Sequence, residues 1–112
     1  MVNKAPWRDH IELIQNYTQH KTFTVTVPSE GSPTAQDAVL LAGTMEECNK
    51  VSFIVETADA YVEFDSDATT SSMLIPANEG YFDDSVWIGT KISILAATGS
   101  TQPRIRGIIW GR

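Results

Sequence analysis

A chain of 112 residues with 42% apolar and 20% charged side chains has room for one hydrophobic core and not two, and its composition excludes wholesale disorder. Its formal net charge of −6 is unevenly spread: residues 1–21 carry +1, residues 22–90 carry −11 and residues 91–112 carry +4. An acidic body with basic ends is poorly suited to tracking a phosphate backbone, which argues against nucleic acid, and no apolar run approaches the length of a bilayer span.

The first ten residues, MVNKAPWRDH, lack the apolar core of a secretory signal, so the protein is expected to stay in the compartment where it is made. Residues 1–21 differ from the rest and read as an N-terminal arm. Trp7, Ile11, Ile14 and Tyr17 fall at helical spacing behind Pro6, a residue suited to a first helical turn. So short a stripe needs another surface to bury it, which makes these four residues candidates for contact with a partner.

From Thr22 onward the pattern changes to short apolar bursts separated by turn residues. Thr22 to Val27 (TFTVTV) alternates and predicts a first strand, and PSEGSP a loop. Asp37 to Ala42 (DAVLLA) fits a strand slightly better than a helix, and Gly43 to Lys50 reads as a polar crossing. Val51, Phe53 and Val55 point one way and Ser52, Ile54 and Glu56 the other. After the turn at Thr57–Asp59, Val62 and Phe64 alternate with Tyr61, Glu63 and Asp65, so the two runs are expected to pair as a hairpin. Met73–Ile75 is a short strand stopped by Pro76, and Asn78-Glu79-Gly80 a turn. Val86 and Ile88, then Ile92, Ile94 and Ala96, supply further inward positions. In the last strand Ile105, Gly107 and Ile109 face inward. Seven or eight short strands over residues 22–112 predict an all-β sandwich.

The last strand also presents Arg104, Arg106, Ile108 and Trp110 on one outward face. Arginine and tryptophan are the side chains that anchor protein interfaces, so Arg104, Arg106 and Trp110 are the second candidate contact set.

Catalytic patterns are missing. Cys48 is the single cysteine and reads as a small buried apolar residue. His10 and His20 have no neighbours at metal-ligand spacing, and no glycine-rich phosphate loop or nucleophile elbow occurs. Asp65-Ser66-Asp67 begins like a calcium loop but lacks its third ligand and its glycine, and Asp83-Asp84 reads as hydrated turn acids. Tyr61, Tyr81 and Trp87 could line a sugar platform, the basis of an alternative reading as a carbohydrate-binding module. No enzyme, cofactor or metal is expected.

The stretch VSFIVETADAYVEFDSDATTSSMLIPANEGYF, followed by VWIGTKISILAATGS and RIRGIIWGR, resembles a small tailed-phage virion protein. In particular it is similar to the capsid decoration (cement, or staple) proteins of short-tailed enterobacterial phages, over residues from about Gly43 to Arg112. The resemblance implies a jelly-roll-like β-sandwich that binds the outer capsid surface. There it would bridge neighbouring capsomers of the major capsid protein as a homo-oligomer, with a dimer favoured, and wait in the host cytoplasm before assembly. A head-tail connector or tail component is the alternative within virion proteins. Many identical weak contacts around a shell sum to strong attachment, and an acidic body would keep unattached copies apart.

Overall fold

Alternation of buried and exposed positions is common to the long strands, and it sorts each of them into an inner and an outer row. The structure, a computed structural model, describes residues 17–112. These form eight strands and no helix: β1 (Gln19–Thr26), β2 (Gln36–Leu40), β3 (Cys48–Glu56), β4 (Ala60–Phe64), β5 (Met73–Ile75), β6 (Glu79–Asp83), β7 (Lys91–Ala96) and β8 (Arg104–Gly111).

All pairings are antiparallel. The front sheet has the order β1-β8-β3-β6 and the back sheet β2-β7-β4-β5. Strand β1 pairs with β8, β2 with β7, β3 with β6 and β4 with β5, and successive pairs alternate between the two sheets. A long hairpin ribbon rolled up on itself gives this order, and β3–β8 and β4–β7 pairing closes each sheet. The domain is a jelly-roll β-sandwich, as expected for its class.

Three local expectations give way. Strands β3 and β4 do not form a hairpin but lie in opposite sheets. Between them Thr57 takes a φ of +74°, and the Ala58 amide donates to the Glu56 carbonyl at 2.9 Å. That three-residue γ-turn is too tight to bring two strands side by side, so it swings the chain across the core. Second, Ala77 and Asn78, the latter at φ +67°, make the turn after Pro76, closed by the Glu79 amide donating to the Pro76 carbonyl at 3.1 Å, and Glu79 and Gly80 belong to β6, opposite Val55 and Ile54. Val86–Ile88 contributes only one isolated bridge, Cys48 to Ile88. Third, β1 begins at Gln19, so the last three residues of the expected arm are paired strand. Trp7, Ile11 and Ile14 lie outside the described residues, and half-buried Tyr17 lies two residues before β1.

The core lies between the sheets. Val51, Phe53 and Val55 of β3, with Ile105 and Ile109 beside them on β8, form one core with Ile92 and Ile94 of β7 and Val62 of β4 in the other sheet. Each fully buried Val or Ile contributes about 1.5–3 kcal/mol relative to an exposed one. Gly107 interrupts the inner row of β8 for a steric reason. A Cβ there would sit 2.2 Å from the Ser52 carbonyl oxygen and 2.5 Å from the Phe53 Cβ, so its absence lets Phe53 pack across the strand and stack on Tyr81 at 5.4 Å.

Candidate functional site: the outer face of the front sheet

Strand β8 lies between β1 and β3, so its outward row is the middle of a four-stranded face. Register places Arg104 opposite Thr26 and Glu56, Arg106 opposite Thr24 and Ile54, Ile108 opposite Thr22 and Ser52, and Trp110 opposite His20 and Lys50. Phe82 of β6 extends the Ser52 row, and Gly80, which has no side chain, follows Ile54.

At one end, two guanidinium groups share one carboxylate. Glu56 accepts from Arg104 Nε at 3.1 Å and Arg106 Nε at 2.9 Å, and its other oxygen from Arg106 Nη2 at 3.1 Å. The bridge spans roughly the width of one strand, which the β3–β8 pairing fixes. It leaves a local excess of one positive charge.

At the other end, Lys50 is bracketed by aromatic rings. Its Nζ lies 4.6 Å from the Trp110 ring centre and 5.5 Å from that of Phe82, within cation–π range of both. Alternation from Ser52 sets Lys50 on this face, and a register shift between Cys48 and Lys50 lets Cys48 turn inward instead of following it. Phe82 is 60% exposed, while Trp110 is half-buried against its neighbours. Beyond Trp110 on the same row, Arg112 Nε contacts Glu47 Oε1 at 3.0 Å. The other Glu47 oxygen accepts the indole N–H of Trp87. Trp87 is 65% exposed yet held in place, because its ring also lies over Gly89, where a Cβ would come within 2.8 Å of the indole.

The charge of the domain divides accordingly. Four of the six described cations, Lys50, Arg104, Arg106 and Arg112, lie on this face with only Glu47 and Glu56 among the acids. The remaining two, Lys21 and Lys91, sit elsewhere with ten carboxylates. The outward face of β8 therefore holds Arg104, Arg106 and Trp110 together as expected. Glu56, Lys50, Phe82, Glu47 and Trp87 are partners that sequence reasoning missed. Lys50 and Glu56 share the outward phase of β3, but nothing in the chain announces that β3 lies beside β8 and not β4.

Other candidates take structural roles. Asp65 is no calcium ligand in this arrangement: its carboxylate accepts the amides of Gly89, Thr90 and Lys91 and the Thr90 hydroxyl, at 2.7–3.3 Å. Partial burial pushes its carboxyl up, but these donors together outweigh that and hold it below its ordinary value. Asp67 pairs with Lys91, and Asp37 contacts the same ammonium at 3.2 Å; these hydrogen bonds raise the Lys91 pKa. Among the described residues no group of three His, Cys, Asp or Glu side chains could hold a metal. Burial raises the Cys48 thiol, which donates to the Lys50 carbonyl, so it stays protonated and inert. The imagined sugar platform is dispersed. Tyr81 faces the core and donates its hydroxyl to Asp83, Tyr61 lies on the back sheet opposite Leu74 and Leu95, and Trp87 stands beyond the front sheet.

The chain matches no protein-family model, no curated protein and no solved structure.

Proposed function

We propose that this protein is a virion structural protein that docks on the outer surface of a capsid and bridges neighbouring capsomers, using the outer face of the front sheet. The observation that carries the reading is the concentration of Arg104, Arg106, Trp110, Lys50 and Phe82 on one sheet face that no other described residues cover, in an otherwise acidic domain. Aromatic and arginine anchors fixed before contact lose little entropy on docking, which is the property of an interface centre. Electrostatic attraction to an acidic shell surface would speed encounter, and repetition around the shell would supply avidity.

A homodimer on the shell is part of the same proposal. Its support is the outer edge of β1. The Val27 amide donates to the Pro103 carbonyl, and the register from there to Gln19 has no shift. That phase turns the backbone groups of His20, Thr22, Thr24 and Thr26 away from β8, as a template for a second strand. The other edges are less inviting: β2 carries a bulge, β5 has three residues, and β6 has an acid at each end.

Co-sedimentation with capsids lacking the protein tests the docking, with retention of those capsids at a higher temperature as the second readout. Failure to sediment with any such shell rejects the reading. Copy number separates the tail alternative, since a decoration protein is present in hundreds of copies and a tail component in a few. A chain lacking residues 1–16 should fold and bind more weakly. Removing residues 1–21 is a poorer test, because it also strips Gln19–Lys21 from their pairing with β8.

A further inference from the structure

Arg104 belongs to two surfaces at once. On the front face its Nε is committed to Glu56, but among the described residues its terminal Nη groups donate to no protein acceptor. The same side chain lines a cleft of about 410 Å³ at the end of the sandwich, where the β1–β2 connection, the γ-turn at Thr57 and the β7–β8 loop converge. The remaining walls are polar and uncharged: Thr26, Thr57, Ser100 and Thr101 present hydroxyls and Gln102 an amide. Among the described residues no carboxylate lines it. The nearest acids are occupied elsewhere. Glu56 is held by the two arginines, the Glu30 carboxylate accepts from Thr34, and Asp59 accepts the Ala77 amide at 2.8 Å.

The cleft is held in shape by strain and by cross-links. Thr57 is β-branched and sits at φ +74°, a conformation that such residues rarely adopt. Its hydroxyl donates to the Gln102 carbonyl at 2.7 Å, which ties the turn to the opposite wall. Strain of this kind costs about 1–3 kcal/mol and persists only where the surroundings enforce it. On the far wall, Thr101 Oγ1 donates to the Thr98 carbonyl and the Glu30 amide donates to Gly99.

A rigid polar cleft with one incompletely used guanidinium and no acid is complementary to a carboxylate. We infer that this cleft receives an acidic side chain, Asp or Glu, of the protein on which the front face docks. Arg104 is the anchor, and the Thr26 and Ser29 hydroxyls and the Gln102 amide supply further donors, since the Thr57 and Thr101 hydroxyls already donate to the Gln102 and Thr98 carbonyls. A planar carboxylate can take both Nη groups while Glu56 keeps Nε, so no existing contact is lost. Charge complementarity favours a protein source: the cleft opens beside the basic face that the proposed docking uses, and the inference rests on that docking for its occupant.

The test is a titration of the isotope-labelled full chain by amide NMR with a capped Gly-Glu-Gly peptide, its Gly-Gln-Gly counterpart, and galacturonate. The expected result is saturable shifts of Thr57, Ser100, Thr101 and Gln102 with the Glu peptide, at a Kd on the order of 1 mM. The Gln peptide should bind at least tenfold more weakly. Arg104→Gln should abolish the response with the rest of the spectrum unchanged, and Arg106→Gln should retain it. No saturable shift, equal response to the Gln peptide, or an undiminished response in Arg104→Gln overturns the cleft as a carboxylate site. Preference for galacturonate over the Glu peptide overturns the protein source. Shell binding separates this from the docking proposal. If R104Q sediments with shells as the parent does, the cleft plays no part in docking, while the docking face stands. If neither chain sediments but the Glu peptide still binds, the shell reading falls and the cleft remains.

Discussion

The two sheets have the same number of strands and the same antiparallel pairing, yet their outer faces are finished in opposite ways. The middle of the back sheet is covered by its own chain, while Leu40 and Leu74 at its margins stay exposed. The β4–β5 loop folds over it, so that Ser93 and Leu95 of β7, which alternation points outward, are buried at 0% and 8% exposure. The Ala68 amide donates to Ser93 Oγ at 2.9 Å, Ser72 Oγ to Glu63, and Lys91 ties Asp67 of the loop to Asp37 of β2. The front sheet has no such cover among the described residues. Its outward row holds Trp110, Ile108, Ile54 and Phe82, with cations between them. Both faces carry apolar side chains, but among the described residues the chain covers only the middle of the back sheet, leaving Leu40 and Leu74 exposed at its margins, and covers none of the front row. The difference supports the proposal that the front face, with its arginines and exposed Phe82, is the one that docks.

If this contrast is real, changes on the front face should affect docking, and changes on the back face should affect stability. The largest expected effect is on the front. Arg104→Ala with Arg106→Ala should weaken shell attachment at least 100-fold, about 2.7 kcal/mol, and flatten its salt dependence, as measured by sedimentation across a salt series. Because Glu56 is then left unpaired, a modest fall in melting temperature should accompany it. Unchanged attachment would mean that this face is idle.

On the back face, Ser93→Ala removes only the hydroxyl and leaves the buried Ala68 amide without an acceptor. A loss of about 1–3 kcal/mol is expected, with faster hydrogen exchange over residues 66–72 and docking unaffected. Docking that falls with it would dissolve the division between faces.

Asp65→Asn comes next. It removes a charged acceptor from four donors at the junction of the back sheet and the loop beneath Trp87, at a cost of about 1–2 kcal/mol after allowance for its exposure. The pH dependence has a definite sign. With its folded pKa below the unfolded value of about 3.9, Asp65 stabilises the fold above that value. The contribution is lost as pH falls from there through the folded pKa. Acid unfolding curves of the Asn variant should therefore lack part of the parent's slope below about pH 4.

The smallest effect is expected for Lys50→Met, which removes two cation–π contacts worth about 0.5–1 kcal/mol each at exposed sites but keeps the apolar stem between Trp110 and Phe82. Attachment should fall several-fold with a melting temperature lowered by about 4–8 °C per kcal/mol lost, and increased attachment would show that the face is read for its apolar content.

What the sequence determined by itself was the facing of side chains. A strand's backbone sends successive residues to opposite sides whatever lies next to it, so the sorting of Ile105 and Ile109 from Arg104, Arg106 and Trp110 needed no knowledge of neighbours, and the all-β class followed from the spacing of turns. Tertiary structure decided everything that depends on which strands meet. The γ-turn at Thr57 sent β4 to the other sheet and left β8 beside β3, so Glu56 met Arg104 and Arg106 across 48 and 50 residues of chain and Lys50 came to lie against Trp110. The covering of the back sheet, the clamping of Trp87 and the cleft beside Arg104 arise likewise from segments far apart in the chain. Pairing over such distances is settled by burial of one shared core, which no local pattern encodes.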